Sequence, residues 1–170
     1  MEIYILRHGI AVSRGTPGYP NDDRPLTEDG IEKMTEAALG IAKIVDKFDV
    51  VVSSPLIRAL DTAGIAAEAI KYKDEIVSTK FLMPGSLPSS LFDFLGKYKS
   101  KRSVLLVGHE PHLGILASRL LGYDDSVIEF KKGGICRIDI DSMPPHSPGT
   151  LIWSLAPKQL RLIAKTKNIA

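Results

Sequence analysis

Two histidines and two arginines of this sequence follow strand-like segments closely enough to do chemistry together. Arg7 and His8 come directly after the first such segment, Arg58 lies one turn into the helix that follows the second, and His109 comes after the third. Imidazole can act as a nucleophile, an acid or an electrostatic stabiliser, and guanidinium groups carry planar donor forks that fit phosphate oxygens. These residue types together predict phosphoryl transfer to a histidine.

Other kinds of site fit the sequence less well. The chain has no clustered carboxylates of the kind that bind magnesium and no Gly-x-x-x-x-Gly-Lys-Ser/Thr loop. Zinc on His8 and His109 would lack a third ligand at a suitable spacing, and the neighbouring arginines would repel it. We therefore expect neither a metal nor a cofactor. His112 and His146 offer no such pattern, and we interpret both as surface or loop residues.

The elements that must position these side chains alternate between strand and helix, which is typical of an α/β fold with a parallel sheet. Thr27 is a suitable N-cap for a helix over the apolar positions 31–45. The predicted strands are 2–6, 49–53, 76–81 and 103–107, the other predicted helices begin near Pro55, Leu91 and Pro111, and 83–90 is predicted to be loop.

The last third of the chain has a different pattern. Residues 134–140 and 150–155 alternate in polarity on either side of a Pro/Ser/Gly loop, which predicts an antiparallel hairpin. The predicted fold is a three-layer α/β/α sandwich with a mostly parallel central sheet and an antiparallel C-terminal hairpin or edge strand. Ligands bind outside the carboxyl ends of parallel strands in such folds, so Arg7, His8, Arg58 and His109 should share one cationic pocket.

Composition limits the class of protein. A chain of 170 residues, 44% of them apolar, predicts a single domain spanning 1–170. The sequence contains no segment that resembles a dedicated interface, so a monomer is expected. A net charge of only +2 argues against a nucleic-acid surface, and the lack of an 18-residue apolar run argues against a membrane span. The lone Cys136 cannot form an internal disulfide, which favours a reducing, cytoplasmic location.

The residues also resemble a known family. Three segments resemble the signature of the histidine phosphatase superfamily, whose members have a phosphoglycerate mutase-like fold. They are Arg7-His8-Gly9, Ser54-Pro55-x-x-Arg58-Ala59-x-x-Thr62-Ala63 and Gly108-His109. Two further segments resemble the SixA-type phosphohistidine phosphatase branch, namely Arg24-Pro25-Leu26-Thr27-x-x-Gly30 and Trp153-Ser154-Leu155-Ala156-Pro157. The resemblance extends from Ile3 to about Ile163.

This resemblance implies a role for each matching residue. His8 would attack phosphorus and become phosphohistidine, and water would then release inorganic phosphate without a metal. Arg7, Arg58 and His109 would hold the phosphoryl oxygens, and Arg24 would add a further contact. A hydrogen bond from His8 to a backbone carbonyl would fix the required tautomer, and Gly9 would let the backbone approach the phosphate closely.

One feature departs from the larger members of the superfamily, which carry an acidic residue in mid-chain to protonate an ester oxygen. Residues 81–90 contain no carboxylate. An alkoxide leaves poorly without a proton, whereas the imidazole of phosphohistidine leaves easily, so the sequence favours a phosphohistidine substrate. Asp22, Asp23 and Glu110 remain candidate acids.

Three functions therefore stay open. The first is a phosphatase for phosphohistidine on a protein, such as a phosphorelay protein. The second is a broad phosphomonoesterase acting on small metabolites or nucleotides, and the third is an inactive phosphate-binding module. Lys131 and Lys132 either form a solvated strand edge or contact an acidic partner.

Overall fold

The computed structural model describes residues 1–19 and 22–166, and a six-stranded mixed sheet runs through them. Its strands lie in the order β3-β2-β4-β1-β5-β6. They are β1 (Glu2–Arg7), β2 (Val50–Ser53), β3 (Val77–Ser78), β4 (Ser103–Gly108), β5 (Ile135–Asp139) and β6 (Thr150–Leu155).

Helices cover both faces of this sheet and bury a separate apolar layer on each. They are α1 (Glu28–Ile44), α2 (Ile57–Ala69), α3 (Pro88–Leu95), α4 (His112–Leu120) and α5 (Pro157–Ala164). On one face, Leu105 of β4 packs with residues of α1, α2 and α5; on the other, Leu106 packs with residues of α3 and α4. Alternate residues of each central strand thus enter opposite cores, which confirms the three-layer sandwich.

Three parallel strands at the centre of the sheet position the chemistry. β4 pairs in parallel with β1 on one side and with β2 on the other. In this register Arg7 lies opposite Gly108 and Ser53 lies opposite Val107, so all three strands end at the same level. The residues that follow them are therefore neighbours at one edge of the sheet.

The predicted antiparallel hairpin is confirmed and extends the sheet beyond β1. β5 pairs antiparallel with both β1 and β6. β6 is the outer strand and is mostly exposed, whereas β5 is largely buried. Since β1 has parallel β4 on one side and antiparallel β5 on the other, the switch in strand direction falls beside the segment that carries Arg7 and His8.

The structure differs from two sequence predictions in the segment between β2 and β4. The strand expected over 76–81 is only Val77–Ser78, because a 3-10 turn at Lys80–Leu82 ends it. The loop expected over 83–90 ends early, since α3 already begins at Pro88, and its last turn continues as a 3-10 turn at Gly96–Tyr98. Proline fits the first turn of a helix, where its missing N–H is not needed.

The helices of the described residues are too short or too polar to cross a lipid bilayer.

Candidate active site

The imidazole rings of His8 and His109 face one another at the carboxyl edge of the sheet. Their ring centroids are 5.0 Å apart, with an angle of 53° between the ring planes. The backbone N–H of His8 donates to the carbonyl of Gly108 at 3.0 Å, which continues the β1–β4 ladder one residue past the end of β1. The predicted meeting of these two distant histidines is therefore confirmed.

Hydrogen bonding fixes the tautomer of His8. Nδ1 lies 2.7 Å from the carbonyl oxygen of Gly9. A carbonyl only accepts, so Nδ1 carries the proton and the lone pair of the neutral ring is on Nε2. The contact between a ring nitrogen of His8 and a backbone carbonyl is thus present as the sequence analysis expected, and His8 retains 7% exposure.

Gly9 is held in place by the helix that carries Arg58. Its backbone N–H donates to Thr62 Oγ1 at 3.0 Å, and Thr62 Oγ1 in turn donates to the carbonyl of Arg58 at 2.7 Å. A Cβ at Gly9 would lie 3.3 Å from Leu26, so a side chain there would meet the packed segment before α1. Thr62 thus connects the residue next to the candidate nucleophile to α2.

Arg58 points from the first turn of α2 into the same region and is only 3% exposed. Its Nη1 donates to the backbone carbonyl of Asp22 and its Nη2 to Asp22 Oδ2, each at 2.8 Å. Arg58 and Thr62 are four residues apart and share the buried face of α2, where alanines permit close packing. The guanidinium is therefore anchored at one end.

Arg7 is anchored through a different chain of contacts. Its Nη1 donates to the carbonyl of Phe130 at 2.6 Å. The carboxylate of Glu110 accepts from Phe130 N at 2.6 Å and from Gly114 N at 3.1 Å. Both oxygens of Glu110 are thus engaged by backbone donors, and this side chain holds the segment that positions Arg7.

His109 is 2% exposed and contacts the end of β2. Its Nε2 lies 2.8 Å from Ser54 Oγ. When the serine hydroxyl donates to Nε2, the proton of the neutral ring sits on Nδ1, which is then a donor. Ser54 belongs to the sequence signature but had no assigned role, and the structure makes it the partner of His109.

Three buried nitrogens of these residues have no hydrogen-bond partner among the residues that the structure describes: Arg7 Nε, Arg58 Nε and His109 Nδ1. Buried polar groups are nearly always paired, so an unpaired group needs an explanation. Here two belong to guanidinium groups and one to an imidazole beside His8. A tetrahedral oxyanion is a ligand that accepts from all three kinds of donor.

Arg24 is brought close to Arg58 through a shared acidic residue. Its Nε donates to Asp22 Oδ1 at 2.8 Å, and its Nη1 donates to the carbonyl of Val12 at 2.6 Å. Arg24 is therefore occupied by protein acceptors, and its contact with phosphate stays a prediction. Burial acts to raise the pKa of Asp22, but hydrogen bonds from Arg24 and Arg58 outweigh it and keep the pKa below its usual value.

One histidine was placed wrongly from the sequence. His112 is buried at the start of α4, where its Nε2 donates to the carbonyl of Phe81 at 3.1 Å. It ties the 3-10 turn after β3 to the helix that follows His109, and only the tertiary contact reveals this role. His146 is exposed in a loop, as expected. Within the described ranges, 1–19 and 22–166, no three His, Cys, Asp or Glu side chains are grouped to hold a metal.

Burial determines the charge state of both central histidines. Burial, together with the positive charges of Arg58 and Arg7, lowers the pKa of His8 from 6.5 to about 4. Burial, and to a lesser extent electrostatic repulsion from His8 and Arg58, lowers the pKa of His109 from 6.5 to about 3. Both rings are therefore neutral at pH 7, and His8 has its lone pair available for attack.

The lowered pKa values of the two histidines predict an acid-dependent loss of stability. Because both pKa values are lower in the folded chain, their contribution is fully present above pH 6.5 and is lost as the pH falls from there towards 4 for His8 and 3 for His109. A tenfold difference in proton affinity between the folded and unfolded chain corresponds to about 1.4 kcal/mol. In urea titrations between pH 7 and 4, the double variant His8→Gln/His109→Gln should lose less unfolding free energy than the wild type. Parallel pH curves would contradict the assignment.

Comparison with known proteins shows which family the chain belongs to. A sequence profile of the histidine phosphatase superfamily (branch 1) matches residues 3–82. An uncharacterised protein from a Picosynechococcus strain is 32% identical in an alignment 166 residues long, which covers 94% of this chain and 99% of that protein. The chain belongs to the histidine phosphatase superfamily, branch 1.

Within this superfamily, the chain resembles SixA phosphohistidine phosphatases over nearly its whole length. A structure of the protein histidine phosphatase SixA with tungstate superimposes with a TM-score of 0.79 at 24% identity, covering 94% of this chain and 99% of that one. The Agrobacterium tumefaciens protein assigned as phosphohistidine phosphatase SixA gives 0.76 at 25% identity, covering 92% and 97%.

Proposed function

We propose that this protein is a phosphatase that hydrolyses phosphohistidine on a protein through a covalent phosphohistidine intermediate on His8. The observation that carries the proposal is the buried cluster in which His8 faces His109 at 5.0 Å and three neighbouring nitrogens lack partners. A phosphoryl group bound there would satisfy donors that the fold leaves unpaired. The same donors would stabilise the negative charge of the transition state.

The reaction follows from the tautomer of His8. Its Nε2 attacks phosphorus, the bond between phosphorus and the substrate nitrogen breaks, and the phosphoryl group moves to Nε2. Water then attacks the same phosphorus, the bond to Nε2 breaks, and inorganic phosphate and neutral His8 are released. Arg7, Arg58 and His109 are proposed to hold the oxygens through both steps, and the hydrogen bond to Gly9 O keeps the imidazole oriented.

The choice of substrate rests on the supply of protons. A phosphorylated imidazole has a second ring nitrogen, so with a proton already on that nitrogen it leaves as neutral imidazole. An ester oxygen has no such site and needs a donor in the enzyme.

The candidate acids in this protein are poorly suited to that role. The pKa of Asp22 is lowered, so it holds its proton weakly. Both carboxylate oxygens of Glu110 accept from backbone N–H groups, and Asp23 is exposed. These contacts favour phosphohistidine over phosphate esters.

A substrate panel tests this preference. We expect kcat/KM for phosphoramidate and for a phosphohistidine protein to exceed that for sugar phosphates and nucleotides by about 10²-fold or more, the usual contribution of a general acid. Release of inorganic phosphate from each compound provides the measurement. Comparable turnover of simple esters would instead indicate a broad phosphomonoesterase, and tight phosphate binding without any turnover would indicate a binding module.

A further inference from the structure

A small cavity of about 40 Å³ lies beside the candidate active site, and three basic side chains contribute to its lining. Lys33 of α1, Lys132 before β5 and Arg161 of α5 contribute to its wall, which also includes Gly9, the residue after His8. Among the described residues that line it there is no Asp or Glu. The cavity therefore offers a positively charged environment next to the nucleophile but outside the phosphoryl pocket.

The turn that carries Lys132 is attached directly to the nucleophile segment. Gly133 N lies 3.1 Å from the carbonyl oxygens of both Arg7 and His8, and Gly134 N donates to Lys131 O at 2.8 Å to close the turn. Gly133 has a φ of 78°, a left-handed conformation that favours glycine. This turn keeps Lys132 close to His8. In agreement with this closeness, burial is the main cause of the lowered pKa of His8, and the positive charge of Lys132 lowers it slightly further.

The three cations differ in how far the protein itself neutralises them. Lys33 pairs with Asp29 at 2.8 Å, and Arg161 lies 3.5 Å from Glu36. Lys132 is exposed and has no carboxylate within 4.0 Å among the residues that the structure describes. Lys132 therefore keeps an unpaired positive charge. Lys33 and Arg161 share theirs with surface carboxylates in partly exposed pairs, which the carboxylates of a partner can replace at little cost. Such an arrangement suits several carboxylates on a partner surface better than one compact dianion.

We propose that Lys132, Arg161 and Lys33 form a docking subsite for carboxylate side chains that flank the phosphohistidine of the substrate protein. This inference rests on the proposed function and narrows its substrate class to proteins whose phosphohistidine lies in an acidic surface. The cations attract the acidic neighbours while the phosphorylated imidazole enters beside His8. Surface charges act over about 10 Å at 0.1 M salt, so the preference for acidic substrates is strongest at low ionic strength.

A matched pair of peptides tests the subsite. One peptide carries phosphohistidine between glutamates, and the other has glutamine in place of each glutamate. At low salt we expect the wild-type kcat/KM to be about tenfold higher for the glutamate peptide, as a few exposed ion pairs would give, and this ratio to shrink as salt is added. The double variant Lys132→Gln/Arg161→Gln should bring the ratio close to one.

The control is Lys73→Gln/Lys101→Gln, which removes the same net charge from exposed positions at the opposite, amino-terminal edge of the sheet. This control should keep the wild-type ratio. If loss of the Arg161–Glu36 contact prevents folding, Lys132→Gln alone should lower the ratio about two- to fivefold. A ratio near one in the wild type, or an unchanged ratio in the variants, would overturn the subsite.

Failure of the subsite and failure of the proposed function give different results. If the wild type turns over neither the glutamine peptide nor phosphoramidate, the phosphatase assignment is wrong. If it turns over both peptides equally well, the phosphatase assignment stands and only the acidic docking subsite is wrong.

Discussion

Replacing His8 with alanine is expected to lower kcat by about 10⁴-fold or more, because it removes the nucleophile on which the covalent route depends. The variant should still bind inorganic phosphate or tungstate, since Arg7, Arg58 and His109 keep their unpaired donors. Loss of rate with retained anion binding separates a chemical role from a structural one. Steady-state kinetics and isothermal titration calorimetry with either anion measure the two properties.

Detection of the covalent intermediate provides a second, independent test of His8 as the nucleophile. Brief exposure of the wild type to a slow substrate followed by rapid quenching should leave an acid-labile, base-stable phosphoryl label on His8. His146→Ala is a suitable control, because this histidine is exposed in a loop and should retain both rate and label. Near-normal turnover by His8→Ala, or an unlabelled wild type that is turning over, would rule out His8 as the nucleophile.

Replacing Arg58 with alanine should have the next largest effect, about 10³-fold in kcat/KM, by analogy with the arginines that stabilise phosphoryl transfer. Arg58 is 3% exposed, and its Nε is one of the unpaired donors. Unlike His8→Ala, this variant should also bind inorganic phosphate more weakly. Its kinetics and its phosphate affinity should therefore fall together.

Two further variants make the Arg58 result specific. Arg58→Lys keeps the charge but cannot reproduce the fork that now reaches Asp22, so it should recover only part of the activity. Arg119→Ala removes an arginine that pairs with Asp124 at the surface end of α4, and it should behave like the wild type. Full activity in Arg58→Lys would show that charge alone matters. Wild-type phosphate affinity in Arg58→Ala would remove Arg58 from the proposed site.

Much of the fold follows from local patterns along the chain. The buried strands β1, β2 and β4 are short runs of β-branched and aliphatic residues, and Thr27 caps α1 as expected, accepting from Gly30 N at 2.9 Å. The strand β3 could not be delimited in this way, because two residues carry too little pattern to distinguish them from the turn that follows. Likewise, nothing in the local sequence shows that His112 turns inward to reach Phe81.

The sequence by itself determined which residues could do chemistry and that they would share one edge of the sheet, because strand ends and helix starts are local features and parallel strands align their carboxyl ends. Only the tertiary structure decided which groups hold those residues in place. Asp22 lies 36 residues before Arg58, and Phe130 lies 123 residues after Arg7. Such contacts depend on how distant loops pack over the strand ends, and that packing leaves no periodic signal in the chain.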